Sequence, residues 1–310
     1  MIFNNFEKPL LVIISGPTAV GKTDLTIELA KLFDTEIISA DSRQFYKELE
    51  IATAKPSRKQ LSEVNHHFIN SLSIHQKYDV IDFENDSLTL IGKLFKTKNV
   101  VLVSGGSGLF IRVLCEGLDP LPEVPDIVRA IINQEYEAEG LDSLQKELAQ
   151  ADPEYYAEVD INNPQRVIRA IEIIRATGQK FSSFRKKKKV ERPFRILKIV
   201  LNRDREELYE RINIRVDMMF EQGLLDEAKE LLSFKDLNAL QTVGYSELFP
   251  ALQGEYSIEE ADRLIKRNSR RYAKRQLTWF KKEQDSHWFH PDQKEEIIKL
   301  IRENLNGFVT

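Results

Sequence analysis

The run Gly16-Pro17-Thr18-Ala19-Val20-Gly21-Lys22-Thr23 has the spacing G-x-x-x-x-G-K-[ST], a set of residues that together can hold a polyphosphate. The glycines let successive backbone N–H groups turn into one concavity, and a helix opening at the lysine adds partial positive charge to it. Lys22 would neutralise terminal phosphate oxygens, and the Thr23 hydroxyl would ligate Mg²⁺. The pattern specifies a polyphosphate without saying which one.

The rest of the chain is unlike a standard ATPase. A metal-holding aspartate usually ends a neighbouring strand, yet the apolar run at residues 100–103 ends in Ser104-Gly105-Gly106-Ser107-Gly108. A glycine-rich loop beyond the carboxyl end of a strand lies where open α/β sheets bind ligands. Its N–H groups and the Ser107 hydroxyl could donate to a leaving oxygen. The acid comes elsewhere, in Ser39-Ala40-Asp41-Ser42-Arg43-Gln44. A carboxylate near a phosphate site must hold metal or accept a proton, since otherwise the ligand repels it. Lys55, in Ala52-Thr53-Ala54-Lys55-Pro56, is a further phosphate-facing cation or a solvated lysine.

These residues need a scaffold. Residues 10–14, 35–40, 100–103 and 195–201 read as short, continuously apolar strands of the kind buried on both faces. Helical stretches separate them, which implies right-handed crossovers and a parallel sheet. After the Pro-rich joint at 119–125 the texture becomes acidic, amphipathic and strand-free. Residues 120–184 therefore read as a helical insertion into an α/β core formed by 1–119 and 185–310, whose last third is mostly helical. The longest apolar runs fall far short of the ~20 residues a membrane helix needs, and the first nine residues lack a secretory pattern. The one cysteine, Cys115, excludes an internal disulfide and fits a reducing compartment. A protein of the cytoplasm, independent of membranes, is expected.

The formal net charge of −4 hides a segregation. Residues 135–160 carry nine acids against the single Lys146, whereas residues 266–282 carry eight Lys/Arg and no acid. Residues 185–189 are an unbroken basic run. If 266–282 is helical, Tyr272, Ala273, Gln276, Leu277 and Phe280 share one side, while Arg267, Arg270, Arg271 and Lys274 fall largely on the other. Such a face suits a phosphate backbone. His66-His67 and the pair His287 and His290 lack partners at metal-ligand spacing and read as structural. Cys115 reads as a buried, inert thiol, and Trp279 and Phe280 as core.

The phosphate loop, Asp41 to Gln44, Thr53 to Pro56, Gly105 to Gly108, Asn163-Pro-Gln-Arg-Val-Ile-Arg169, Val243-Gly-Tyr245 and Ala273-Lys-Arg-Gln-Leu-Thr-Trp279 stand in the order found in tRNA dimethylallyltransferases, also called tRNA isopentenyltransferases. The sequence resembles that family over roughly residues 10–290. The resemblance implies a P-loop NTPase-like, nucleotide-kinase-like α/β core with a parallel sheet and a helical insertion domain that contacts tRNA. It also implies transfer of a dimethylallyl group from dimethylallyl diphosphate to N6 of the adenosine 3′ of the anticodon, with Mg²⁺, by a monomer. By the same resemblance Asp41 is the general base, and Asp41, Ser42, Arg43 and Gln44 line a flipped base. Residues Thr18 to Thr23 hold diphosphate and metal, Arg215 reaches the diphosphate, and Ser107 replaces a threonine that bonds the leaving oxygen. Arg129, Gln165, Arg166, Val167, Ile168 and Arg169 match stretches that touch tRNA. So do Gln241, Thr242, Val243, Gly244, Tyr245 and Ser246. Ala52 stands where the family has glycine, so a backbone requiring positive φ there would be strained. Arg271 replaces a frequent glutamine.

The chemistry is consistent with these parts. Displacement at an allylic carbon builds positive charge on carbon and negative charge on the diphosphate, so anion stabilisation dominates. A loop nucleotide is cheaper to extrude than a duplex one. Two rivals share the phosphate loop: a small-molecule or nucleotide kinase, and a nucleotide-regulated RNA-binding protein without catalysis. The kinase has no use for the basic helix. Affinity for tRNA should fall steeply as ionic strength rises, measured by filter binding; a flat dependence would count against the basic face.

Overall fold

The computed structural model describes residues 9–186 and 189–306. It divides into two compact units, one running to Glu116 and resuming at Glu191, the other Gly117–Val190.

The first unit is built on a six-stranded, wholly parallel sheet in the order β3-β2-β4-β1-β5-β6. The central strands are β1 (Leu10–Ser15), β4 (Val100–Gly105) and β5 (Arg195–Leu201), with β2 (Ile37–Ser39) beyond β4. Register places Val12 between Leu102 and Leu197. Side chains alternate faces along a strand, and both faces of β1 are covered. Leu10, Val12 and Ile14 pack with Leu25 and Leu29 of α1 (Lys22–Leu32), Ile212 of α9 (Arg205–Glu221) and Ile297 of α13 (Lys294–Asn306). Leu11 and Ile13 pack with Phe83 and Ile91 of α3 (Val80–Leu94) and Ile111 and Leu114 of α4 (Gly108–Glu116). Two-sided burial is why these strands are unbroken apolar runs. Cys115 is buried at the end of α4, and burial pushes its thiol up to about 12.

The edges were not foreseeable as strands. β3 is only His66–His67 and β6 only Ser286–Phe289, both of mixed composition and paired on one side. His66 Nδ1 lies 2.8 Å from the Val64 carbonyl and His67 Nε2 lies 2.7 Å from Glu36, so these histidines tie an edge down. A third core lies under the loop after β2. Here α10 (Leu224–Leu231) and α11 (Tyr245–Leu252) pack with Tyr46, Leu49 and the start of α12 (Ile258–Phe280). The short α2 (Arg58–Glu63) is closed by a Ser57–Gln60 capping box.

The second unit holds α5 (Asp126–Glu139), α6 (Leu141–Ala151), α7 (Pro153–Glu158) and α8 (Pro164–Thr177) around Ile132, Leu148, Val167 and Ile171. Asn163 caps α8, Pro164 opens it and Gly178 in the left-handed region ends it, the order expected of a helix written into sequence. Asp152 is fully buried. It accepts from the Tyr155 amide at 3.1 Å, the Ser182 amide at 2.7 Å and the Ser182 hydroxyl at 2.9 Å. That one carboxylate caps α7 and fastens the turn at Phe181–Phe184. Replacing Asp152 by Ala strands three donors and should destabilise this unit by about 3 kcal/mol. Limited proteolysis of the full chain should then cut first within 117–190; an unchanged cleavage pattern would remove Asp152 as its fastener.

Candidate active site

β1 hands the chain to the phosphate loop at Ser15, and α1 begins at Lys22. The turn uses positive φ at Gly16, Ala19 and Gly21. Ala19 pays a steric penalty there, and the loop is braced from behind to hold it. Arg211 Nε donates to the Ala19 carbonyl at 2.9 Å, and Arg203 Nε to the Val20 carbonyl at 2.8 Å. Arg215 lies on the same helix as Arg211, one turn on. Its guanidinium reaches the Thr18 hydroxyl at 3.4 Å and the Ala54 carbonyl at 3.1 Å.

One cavity of about 550 Å³ collects the chemistry. Thr18, Ala19, Val20, Gly21, Lys22 and Thr23 line it with Asp41, Gln44 and Arg215. A smaller cavity of about 100 Å³ shares Thr18, Asp41, Arg215 and Tyr272 and continues into an apolar wall of Ile212, Val216, Met219 and Ile265. Lys22 donates to the carbonyls of Gly16 at 3.0 Å and Pro17 at 2.7 Å. Burial pushes its ammonium down to about 7; Asp41 opposes that shift and Arg215 adds to it. Burial likewise lowers Arg215, again against Asp41. Asp41 stands just past β2. Its Oδ1 accepts from the Arg43 amide at 3.0 Å, which fixes the side chain while it faces the cavity.

Some expected residues also brace the site, Arg43 and Gln44 while lining its cavities. Ser107 Oγ accepts from the Ser42 amide at 3.0 Å and lies 3.3 Å from the Ser42 hydroxyl, so it holds the Asp41 loop. Arg43 donates to the carbonyls of Asn238 at 2.7 Å and Gln241 at 3.3 Å, joining that loop to residues 238–241. Gln44 Nε2 donates to the Thr53 carbonyl at 3.3 Å. Tyr245 is fully buried, and its hydroxyl donates to Glu227 at 2.6 Å. Glu227 in turn accepts from the amides of Glu50, Ile51 and Ala52, which suspends the loop carrying Thr53 and Ala54. Gly244 sits at φ 107°, and a Cβ there would meet Ala52 Cβ at 3.1 Å. The positive φ in the neighbouring loop falls on Ala54, at 46°, and not on Ala52; the alanine at 52 carries no such strain. Lys55 lines the cavity, its side chain buried and donating to the Tyr46 carbonyl and to Asn70, so it is no solvated lysine. Thr242 and Val243 line the smaller cavity; Gln241 and Ser246 are exposed.

In the second unit, Glu172 is buried, which raises its carboxyl, but bonds from Arg129 at 2.7 Å and Arg169 at 2.9 Å outweigh this and hold it below the usual range. Both arginines keep an exposed flank, and Gln165 and Arg166 are exposed. Val167 is fully buried and Ile168 packs on the same core; they anchor α8 rather than offer contacts. Sequence reasoning placed Tyr272 on the buried side of α12, yet it is 36% exposed, with its ring lining both cavities and the Arg275 guanidinium 5.7 Å from the ring centroid. Glu227, Arg203 and Arg211 were missed because nothing local marks an acid or arginine that bonds to a backbone far along the chain.

Among the described residues no group of three or more His, Cys, Asp or Glu is placed to hold a metal ion. The Thr23 hydroxyl at the start of α1 remains as a donor. It also borders a small polar cavity with Thr26, Ser39 and Ser104. One protein hydroxyl beside a diphosphate fits Mg²⁺, which keeps several waters and takes its other ligands from substrate phosphates.

The sequence profile of the family described as IPP transferase matches residues 44–283. A tRNA dimethylallyltransferase of Bacteroides thetaiotaomicron is 48% identical over 294 residues, spanning 95% of this chain and 96% of that protein. One of Christiangramia forsetii is 50% identical over 297 residues, 96% and 98% of the two chains. The crystal structure of the full-length tRNA isopentenylpyrophosphate transferase of Bacillus halodurans superposes with a TM-score of 0.72 at 36% identity, covering 96% of this chain and 97% of that one. A eukaryotic dimethylallyltransferase solved acting on tRNA gives 0.73 at 28% identity, over 87% and 69% of the chains.

The depressed Lys22 carries a consequence for anion binding. Above pH 7 much of the ligand-free protein has a neutral amine there, and an arriving diphosphate favours the charged form. Binding of inorganic diphosphate at pH 8 should therefore take up protons and weaken as pH rises. Calorimetry in buffers of different ionisation enthalpy measures this. Lys22→Arg, always charged, should abolish the uptake at this site; equal uptake in both proteins would place the proton elsewhere.

Proposed function

The chain belongs to the IPP transferase family, the tRNA dimethylallyltransferases, and on that footing we propose how its cavity carries out the family's reaction. The protein transfers the dimethylallyl group of dimethylallyl diphosphate to N6 of A37, the adenosine next to the anticodon of tRNA. The observation that carries the mechanism is the meeting of the phosphate loop, Lys22, Arg215 and Asp41 around one cavity.

The diphosphate sits on the loop amides of Ala19, Gly21, Lys22 and Thr23, with Lys22 and Arg215 against its oxygens; the Thr18 amide is taken by Gln276. The smaller cavity's apolar wall, from Ile212 to Ile265, suits a five-carbon group. As the N6–C1 bond forms, the C1–O bond breaks and the electron pair leaves with the diphosphate. Asp41 takes the proton that N6 sheds. Negative charge thus grows where the cations already are, and positive charge grows on a carbon near a carboxylate. Thr23 would hold Mg²⁺, which when bound neutralises charge on the leaving diphosphate.

The tRNA lies on two kinds of surface in this reading. The outer face of α12 offers Arg267, Arg271 and Lys274 to phosphates. In the insertion, Arg129, Gln165, Arg166 and Arg169 are held ready by α8 and Glu172. Thr242 and Val243 line the cavity side where the extruded base enters. The protein works as a cytoplasmic monomer; its buried single cysteine fits a reducing compartment, and no helix among the described residues is long and apolar enough to cross a membrane.

Mass spectrometry of nucleosides from a tRNA pool, incubated with the protein, Mg²⁺ and either dimethylallyl diphosphate or ATP, tests the reading. A dimethylallyl mass gain on adenosine with the allyl donor alone is expected. Phosphate transfer from ATP without that gain would favour the kinase. Asp41→Asn should slow transfer by about 10²–10⁴-fold while tRNA affinity is kept; unchanged turnover would remove Asp41 as the base.

A further inference from the structure

The inward face of α12 buries Ala273 and Phe280, and between them one polar side chain, Gln276, only 7% exposed. Its Oε1 accepts from the Thr18 amide at 2.9 Å and its Nε2 donates to the Gly106 carbonyl at 2.9 Å. Those partners belong to different loops, the phosphate loop after β1 and the glycine loop after β4. A primary amide is the neutral side chain that offers a donor and an acceptor from one rigid fork. A Cβ at Gly106 would lie 2.2 Å from Gln276 Nε2, so the glycine leaves room for this amide. The contact continues beyond Gly106. The next residue, Ser107, donates its amide to the Ala40 carbonyl at 3.2 Å and accepts from the Ser42 amide at 3.0 Å. Ala40 and Ser42 flank Asp41.

We propose that Gln276 is a positioning residue: it locks the loop that holds the diphosphate to the loop that carries Asp41, so that leaving group and base keep a fixed separation. Thr18, Gln276, Gly106, Ser107 and Ser42 form an unbroken chain from one to the other. Thr18, Gly106 and Gln276 border the cavity, and the part of the amide is to set a distance. Its effect is on geometry, to which transfer between two bound partners is steeply sensitive.

The inference rests on the transferase reading for its turnover arm only. Gln276→Met keeps the volume and removes both hydrogen bonds; Gly106→Ala keeps the amide and pushes on it. Both full-length variants should lose about a hundredfold in single-turnover rate, the loss that misplacement by an ångström can bring. Both should keep tRNA affinity and stay folded under assay conditions, Gln276→Met with a lower denaturant midpoint because it strands the Thr18 amide and the Gly106 carbonyl, and KM for the allyl donor should rise far less than the rate falls. Binding of inorganic diphosphate with Mg²⁺ by calorimetry should weaken severalfold in Gln276→Met even if the native chain transfers nothing, which separates failure of this inference from failure of that reading. Rates within threefold of the parent and unchanged diphosphate binding would overturn the proposal. So would rate losses that track loss of folded protein in both variants.

Discussion

Lys22, Arg215 and Asp41 share a cavity before any anion arrives, and much of the first unit serves to hold them there. Lys22 and Arg215 repel each other, and partial burial takes both some way out of water. Asp41 offsets part of that cost, and Lys22 turns back on the carbonyls of Gly16 and Pro17. A diphosphate must displace those contacts, so the loop cannot depend on them for its shape. Arg203 and Arg211 hold the carbonyls of Val20 and Ala19 independently. The cradle is therefore preformed, and Lys22 is free to change partners.

That arrangement dictates what the other elements do. α9 must lie along the phosphate loop, because Arg211 and Arg215 come from successive turns of it. Leu208, Ile212 and Val216 supply the buried stripe that keeps it there. The loop after β2 must stay close enough to present Asp41, and it is suspended from several sides. Glu227 receives three of its amides, Arg43 ties its start to residues 238–241, and Lys55 braces its far end. α10 and α11, which look remote from the chemistry in sequence, are present because Glu227 and Tyr245 are.

The range of each interaction decides how much of it was legible in the sequence. The phosphate loop, β1, β4 and β5 are local patterns, complete within a few residues, and the structure keeps them. β3 and β6 have no such pattern, since a two- or four-residue edge strand with one neighbour needs no apolar run. The roles of Arg43, Tyr245 and Gln276 were illegible for a different reason. Gln276 meets Thr18 across 258 residues and Glu227 meets Ala52 across 175, and no spacing rule connects such partners. A polar residue on the buried face of an amphipathic helix was the one available sign, since a buried amide must find partners somewhere.

The end of β4 is where the fold departs from its kinase-like plan, and the departure has a chemical reason. An enzyme that transfers a phosphoryl group must hold metal against the group in flight, so an acid at that strand end is well placed. An allyl transfer leaves the diphosphate whole; its cations need only receive charge, and the scarce resource is a base beside the nucleophile. On the proposed mechanism that base is Asp41, one strand over at the end of β2, while β4 ends in small residues. Ser104 accepts the Ala40 amide on its carbonyl and pairs with Thr26, and Ser107 grips the Ser42 amide. Those glycines and serines, which read in sequence as another phosphate cradle, also hold the loop that carries Asp41 and leave room for Gln276 and Trp279 of α12. The end of β4 is thus bonded to the residues on either side of Asp41, while the loop at residues 16–23 lies among the cations.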